Sequence, residues 1–262
     1  MEGGGKKGVK RSEHSSPQVL DPAKQRVGDT KEGFYIGREV AAGSQEADLP
    51  LHGPNVWPPE ALLPGFRATM EAYFQTCWAT GDRLTALLGA SLSLPDGFFA
   101  QPGRFDRPQL FLRLLRYTDQ LSDPAAGVFG AGAHSDYGML TLLATDDEPG
   151  LEIQWPRGTG EECWVAVPPR PGCFIVNLGD LLERWTNGLY RSTRHRVLNR
   201  TGRPRYSIPF FYEPNHGCLV ECLPQCLAPG EKPKHAPITA GAYLQWRYSQ
   251  THADYGGKPA LA

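Results

Sequence analysis

The amino-acid sequence predicts a mainly β domain, a sandwich or barrel with flanking helices. Three observations carry that expectation. Beyond residue 110, short apolar runs divided by turn residues succeed one another: LFLRLLRY, GMLTLLATDD, GLEIQW, CWVAVPP, CFIVNLGD, ERWTNGLYRSTRHRVLN and RYSIPFFYEP. Helical spacing of apolar residues is confined to a stretch after Pro64 and to the C-terminal ITAGAYLQWRYSQTH. At 262 residues the chain can bury an enclosed core within one domain.

Residues 1–30 are rich in Gly, Lys, Ser and Asp with few large apolar side chains, and read as a disordered or atypical leader. The folded domain is expected over 31–250, with 251–262 as a tail. From KEGFYIGREV to LHGPNVWPPEALLPG the prolines imply an ordered, irregular loop anchored by Phe34, Tyr35 and Trp57. Pro64 opens a helix whose core stripe is Met70, Tyr73, Phe74, Cys77, Trp78, Leu84, Leu87 and Leu88, with Gly89 at its end. The strands follow. Asn187-Gly188 fits a two-residue hairpin turn, because both residues tolerate positive φ, and His195 would lie on the returning strand. Thr239 is a candidate N-cap for the last helix.

Lys+Arg 27 against Asp+Glu 28 gives a net charge of −1, so no global field draws the chain to nucleic acid or an anionic membrane. No apolar run reaches the roughly 18 residues of a membrane span, and the N-terminal residues lack a signal-peptide apolar region. A cytoplasmic monomer acting on a small molecule is expected. The basic run KKGVKR reads as a solvated tail. Six cysteines in a chain of this length imply reduced thiols, and Cys218, Cys222 and Cys226 read as small hydrophobes on one face more readily than as a zinc site with His216 and His235.

The chemistry concentrates in GAHSDYGMLTLL. His134 and Asp136 are two apart, so on a strand their side chains leave one face and can share an ion. His195, in STRHRVLN, would complete two imidazoles and one carboxylate, the facial set that leaves open positions on a non-haem Fe(II). Taken alone, HSD is a common tripeptide. Its weight comes from RYS, ten residues past His195, where Arg205 and Ser207 share a face and offer a bidentate fork and a hydroxyl to a carboxylate. Charge closes the argument: Fe²⁺ with one aspartate and two neutral histidines is +1, a dicarboxylate oxo-acid adds −2 and Arg205 returns +1.

AHSDYGMLTLL, WVAVPPRPGCFIVNLGDLLERWTNGLYRSTRHRVLN and RYSIPFF resemble the H-x-D strand, the path to the second histidine and the R-x-S motif of the isopenicillin N synthase-like Fe(II)/2-oxoglutarate-dependent dioxygenases. The resemblance covers roughly residues 31–250. It implies a double-stranded β-helix (jelly roll) with iron on His134, Asp136 and His195. It further implies 2-oxoglutarate on Arg205 and Ser207, with Tyr117 in LRLLRYT also touching the co-substrate. The implied reaction consumes O₂, releases succinate and CO₂, and hydroxylates or otherwise oxidises a small metabolite, ascorbate serving as an accessory reductant. Tyr137 and Phe211 stand near positions where relatives contact substrate. Leu115 stands where many relatives carry an asparagine, which implies one hydrogen bond fewer near the co-substrate.

The leader has no counterpart of the family's first strand, so the N-terminal part is expected to be shortened and a sheet edge to be left unpaired. Two other readings follow from the same residues: an iron oxidase of this fold that does not use 2-oxoglutarate, and a non-catalytic relative acting as a binding protein.

Overall fold

The computed structural model describes residues 20–21, 23–155 and 163–251. Eleven strands and three helices alternate along them: β1 (Lys31–Gly37), α1 (Phe66–Ser91), β2 (Gln109–Tyr117), β3 (Ala131–His134), β4 (Leu140–Thr145), β5 (Leu151–Gln154), β6 (Trp164–Ala166), β7 (Ile175–Leu178), α2 (Asp180–Trp185), β8 (His195–Val197), β9 (Arg205–Glu213), β10 (Leu219–Val220), β11 (Ile238–Thr239) and α3 (Ala240–Thr251). A five-stranded antiparallel sheet runs β1-β2-β9-β4-β7, and a four-stranded sheet runs β3-β8-β5-β6. Together they make the expected jelly roll.

The large sheet is buried on both faces, and side-chain parity sorts what each face does. Even-numbered residues Ile36, Leu110, Leu112, Leu140, Leu142, Phe210 and Tyr212 join Phe74 and Cys77 of α1 in the main core. Odd-numbered residues turn inward, where Leu115, Tyr117, Leu143 and Ile175 meet Ala131, Leu151 and Val197 of the small sheet. One strand therefore serves two cores. The inner face is the one that can carry a site.

Helix α1 lies close against the sheet. A Cβ on Gly81 would collide with the Tyr212 ring, so the absent side chain sets the approach of helix and strand. The helix runs two residues past Gly89, and Leu87, expected on its core stripe, is exposed. Thr239 does cap α3, its hydroxyl accepting the N–H of Ala242 at 3.3 Å.

Three expectations are corrected. Residues 31–37 are a strand, not an irregular loop: Lys31 to Gly37 pair in register with Tyr117 to Phe111, and Phe34 and Ile36 pack on the α1 side. The expected disorder over 1–30 fails for its last part. Leu20, Asp21 and Gln25 are buried, Leu20 beside Leu115 and Tyr117, and Asp21 pairs with Arg194 at 3.3 Å; residues 1–19 and 22 lie outside the described residues. Finally, Asn187-Gly188 closes no hairpin. Leu181, Leu182 and Trp185 bury one side of α2, and the two residues, at φ 51° and 84°, end that helix, with the Gly188 N–H donating to Glu183 O at 2.8 Å. The chain thus crosses from β7 in one sheet to β8 in the other through a helix.

The six cysteines carry no disulfide. Among the described residues, the one group able to hold a metal is His134, Asp136 and His195, and the cysteine cluster with His216 and His235 is not such a group. No helix of the described residues is long and apolar enough to cross a membrane.

Candidate active site

His134 ends β3 and His195 begins β8, and the two are direct partners across that antiparallel pair. Their rings consequently lie side by side, tilted to one another, with 4.3 Å between centroids. Each Nδ1 lies against a carbonyl two residues earlier, Gly132 O at 2.7 Å and Thr193 O at 3.1 Å. A carbonyl can only accept, so Nδ1 holds a hydrogen and Nε2 is the ring nitrogen placed to act as a ligand. Both Nε2 atoms face Asp136 Oδ1, at 3.9 Å from His134 and 3.6 Å from His195. The three ligand atoms lie within 4.8 Å of one another.

Asp136 sits just beyond β3, in a loop held from several sides. Its carbonyl accepts the Asp180 N–H at 2.9 Å and the Ser192 hydroxyl at 3.4 Å. Its Oδ2 accepts Thr141 Oγ1 and Asn177 Nδ2, each at 2.6 Å. Thr141 and Asn177 are register partners on the inner face of β4 and β7. Burial by itself would raise the carboxyl's pKa, but His195, His134 and these two hydrogen bonds hold it below the usual carboxylate range. Burial, reinforced by His195, pushes the His134 imidazole well below its ordinary value, which keeps it neutral. An ionised carboxylate beside a neutral imidazole suits a divalent cation.

Arg205 and Ser207 open β9 on the same inner face, Ser207 four residues and Arg205 six from Phe211 at the Thr141 level, so about 13 and about 20 Å away along the strand. Both are almost fully buried, yet Arg205 Nη1 and Ser207 Oγ have no hydrogen-bond partner. The guanidinium is fixed by its Nε, which donates to Glu148 O at 3.2 Å, and it lies 5.2 Å from the centroid of Tyr117, its register partner on β2. Two orphaned buried donors on and beside a positive charge that no carboxylate of the described residues pairs with are costly unless an anion arrives. A carboxylate would satisfy both donors and the charge.

Tyr137 and Phe211 lie on the metal side of this interior. Tyr137 follows Asp136, its hydroxyl 2.9 Å from Thr251 Oγ1 and its ring centroid 4.3 Å from the Arg247 guanidinium of α3. Phe211 pairs with Phe111 on β2 and Thr141 on β4. His134, Asp136 and His195 thus come together, Tyr117, Arg205, Ser207 and Phe211 share the inner strand face, and Tyr137 also packs against the main core. Sequence reasoning missed Thr141, Asn177 and Arg113. The last two were marked only as polar residues inside apolar runs, IVNLGD and LFLRLLRY.

Comparisons with known proteins agree with this geometry. Residues 111–214 match the family model of the 2OG-Fe(II) oxygenase superfamily. Azadirone synthase from Melia azedarach is 36% identical over 243 residues, covering 92% of this chain and 72% of that protein. A 2-oxoglutarate-Fe(II) type oxidoreductase from Emericella nidulans is 36% identical over 236 residues, covering 86% and 64%. Among solved structures, a full-length Neurospora crassa protein in complex with alpha-KG and thymine superposes with a TM-score of 0.73 at 32% identity, over 91% of this chain and 72% of that one.

Proposed function

Because the chain belongs to the 2OG-Fe(II) oxygenase superfamily, whose chemistry is the 2-oxoglutarate-dependent oxidation of small molecules, we propose that His134, Asp136 and His195 hold its iron and that Arg205, Ser207 and Tyr117 hold the co-substrate. The observation that carries the second half is the orphaned pair Arg205 Nη1 and Ser207 Oγ. Bound iron supplies the activation of O₂ that couples oxidation of 2-oxoglutarate to succinate and CO₂ with oxidation of a substrate C–H bond.

The protein's own residues then have defined tasks. The carbonyls of Gly132 and Thr193 set the imidazole tautomers, so both Nε2 atoms are ready as ligands. Thr141 and Asn177 occupy one oxygen of Asp136 and turn the other toward the histidines. Arg205 takes the distal carboxylate by charge and Ser207 by one hydroxyl donor, and the Tyr117 ring keeps the guanidinium in place. Tyr137 and Phe211 form walls for the substrate.

Both other readings are less well supported. An iron oxidase that ignores 2-oxoglutarate would leave two buried donors unsatisfied, and a binding protein would have no use for a complete ligand triad. The relatives span a plant synthase and a protein crystallised with thymine, which supports a small organic substrate without choosing one. We propose the domain over 31–250, with the segment from Leu20 to Gln25 packed against it. A monomer without nucleic-acid affinity fits the net charge of −1, and a cytoplasmic setting fits six unpaired thiols.

The test is anaerobic titration with Fe(II) and then 2-oxoglutarate, followed by visible absorption, with succinate release measured after O₂ is admitted in the presence of ascorbate. A saturable visible band dependent on both additions is expected. Iron binding with no response to 2-oxoglutarate would overturn the co-substrate assignment.

A further inference from the structure

The inner face holds a second arginine that the metal and co-substrate do not use. Arg113 lies on β2 four residues before Tyr117, so both side chains leave the same inward face, about 13 Å apart along the strand. Its position is away from Arg205. In the β2–β9 register Tyr117 faces Arg205 and Leu115 faces Ser207, and Arg113 comes one inward step further, on the side of Phe111 and Phe211.

What surrounds Arg113 is aromatic. Its guanidinium lies 4.3 Å from the centroid of Tyr35, its register partner on β1, and its other electrostatic neighbours are the phenols of Tyr248, Tyr117 and Tyr137. Among the described residues no carboxylate pairs with it, and its buried Nε has no hydrogen-bond partner. The side chain is half-buried, as are those of His134, Tyr137 and Tyr248. Beside the His134, Asp136 and His195 set, this end of the inner face therefore carries phenol rings and an arginine that pairs with no carboxylate among the described residues.

Buried charges persist when paired, and an arginine cannot shed its proton to escape the cost. Cation–π contact with Tyr35 offsets part of that cost, but a ring face accepts no hydrogen bond from Nε in the guanidinium plane. Structural arginines of this fold look different. Arg247 pairs with Asp180 at 3.0 Å, and Arg196 pairs with Glu152 at 2.8 Å, whereas Arg113 shares with Arg205 a buried donor that no protein group among the described residues satisfies.

From this the geometry points to Arg113 as the anchor of the primary substrate, which is a small organic acid with a flat or aromatic body, its carboxylate on Arg113 and its body against Tyr35, Tyr137 and Tyr248. The inference rests on the proposed function, because it takes the inner face beside His134, Asp136 and His195 as the reaction site. It adds a substrate class. A carboxylate held by a planar fork at a fixed place would orient the rest of the molecule toward the metal wall.

The experiment uses full-length protein loaded with Fe(II) and saturating 2-oxoglutarate under anaerobic conditions, with benzoate, phenylacetate and 3-phenylpropionate as probes and the corresponding primary amides as neutral partners. Calorimetric titration reads affinity. At least one acid is expected to bind the wild type, its amide about thirtyfold more weakly, and Arg113→Met should lose a similar factor for the acid. Arg113→Lys should restore part of it. Affinity for 2-oxoglutarate should be the same in all three proteins, which also shows that the variants fold. Acid and amide binding alike, binding insensitive to Arg113→Met, or failure of every acid to bind would each overturn the proposal. Loss of 2-oxoglutarate binding in the wild type would instead strike the functional reading, so the two failures are separable.

Discussion

Asn177 and Thr141 both aim their donors at Oδ2 of Asp136, at 2.6 Å each, and leave Oδ1 alone to face the two histidines. The arrangement decides which carboxylate oxygen a metal meets. Asn177→Leu removes one donor while keeping the volume roughly constant, and a free carboxylate can then rotate. We expect Fe(II) affinity to fall about 10- to 100-fold with little change in fold, measured by competition with a chelator under anaerobic conditions. Unchanged affinity would mean that Thr141 alone suffices.

The two anchors on β9 should separate from the metal ligands. Arg205→Met is expected to weaken 2-oxoglutarate about 100-fold and Ser207→Ala about tenfold, with iron binding within about twofold of wild type. Titration of the visible band gives both numbers. Iron loss equal to that of a ligand variant would contradict the division of roles.

His134→Ala and Asp136→Ala should abolish iron binding and turnover. Their clearest signature is thermodynamic. A ligand at 100 times its dissociation constant stabilises the folded state by about 2.7 kcal/mol, so wild type should gain several degrees in Tm on adding Fe(II) with 2-oxoglutarate. Neither variant should respond. A full response in Asp136→Ala would show that the metal lies elsewhere.

Much of this site was legible in the sequence because strand parity carries direct information. His134 with Asp136, and Arg205 with Ser207, are spaced by two, which fixes a shared face before any fold is known. Tyr117 entered through resemblance. What remained hidden depends on pairing between distant strands: Thr141 and Asn177 reach Asp136 only because β4 and β7 lie side by side, and Arg113 meets Tyr35 only through the β1–β2 register. The same limit explains the misread strand at 31–37, whose glycines and charges hide an alternation that β2 completes. It also explains α2, since Asn187-Gly188 supports a hairpin turn or a helix end with the same positive φ values.

Gly81 sets how closely α1 approaches β9, because a methyl there would run into the Tyr212 ring. The ring cannot retreat easily: its hydroxyl is bonded to Asp82, and Phe105 stacks on it with centroids 5.1 Å apart. Gly81→Ala would gain helix propensity of under about 1 kcal/mol and lose about 1–3 kcal/mol to overpacking. Net destabilisation is expected in urea unfolding. A more stable variant would show that the helix can shift outward at no cost.

Glu213 ends β9 on the inner face, is buried against Gly138, and its Oε2 has no hydrogen-bond partner. Burial, then the charges of Asp136 and Asp180, push its pKa well above the ordinary carboxyl value, and Tyr248 on α3 is a further ionisable neighbour. The folded chain therefore holds a proton that the unfolded chain releases near pH 4.3. Between that pH and the raised folded value the native state binds more protons, so this group's contribution to stability falls as pH rises. Glu213→Gln keeps the neutral shape and cannot ionise. Its stability relative to wild type should rise as pH rises above about 5 in urea unfolding of the metal-free protein, and a difference independent of pH would show that Glu213 is ionised in the folded state throughout.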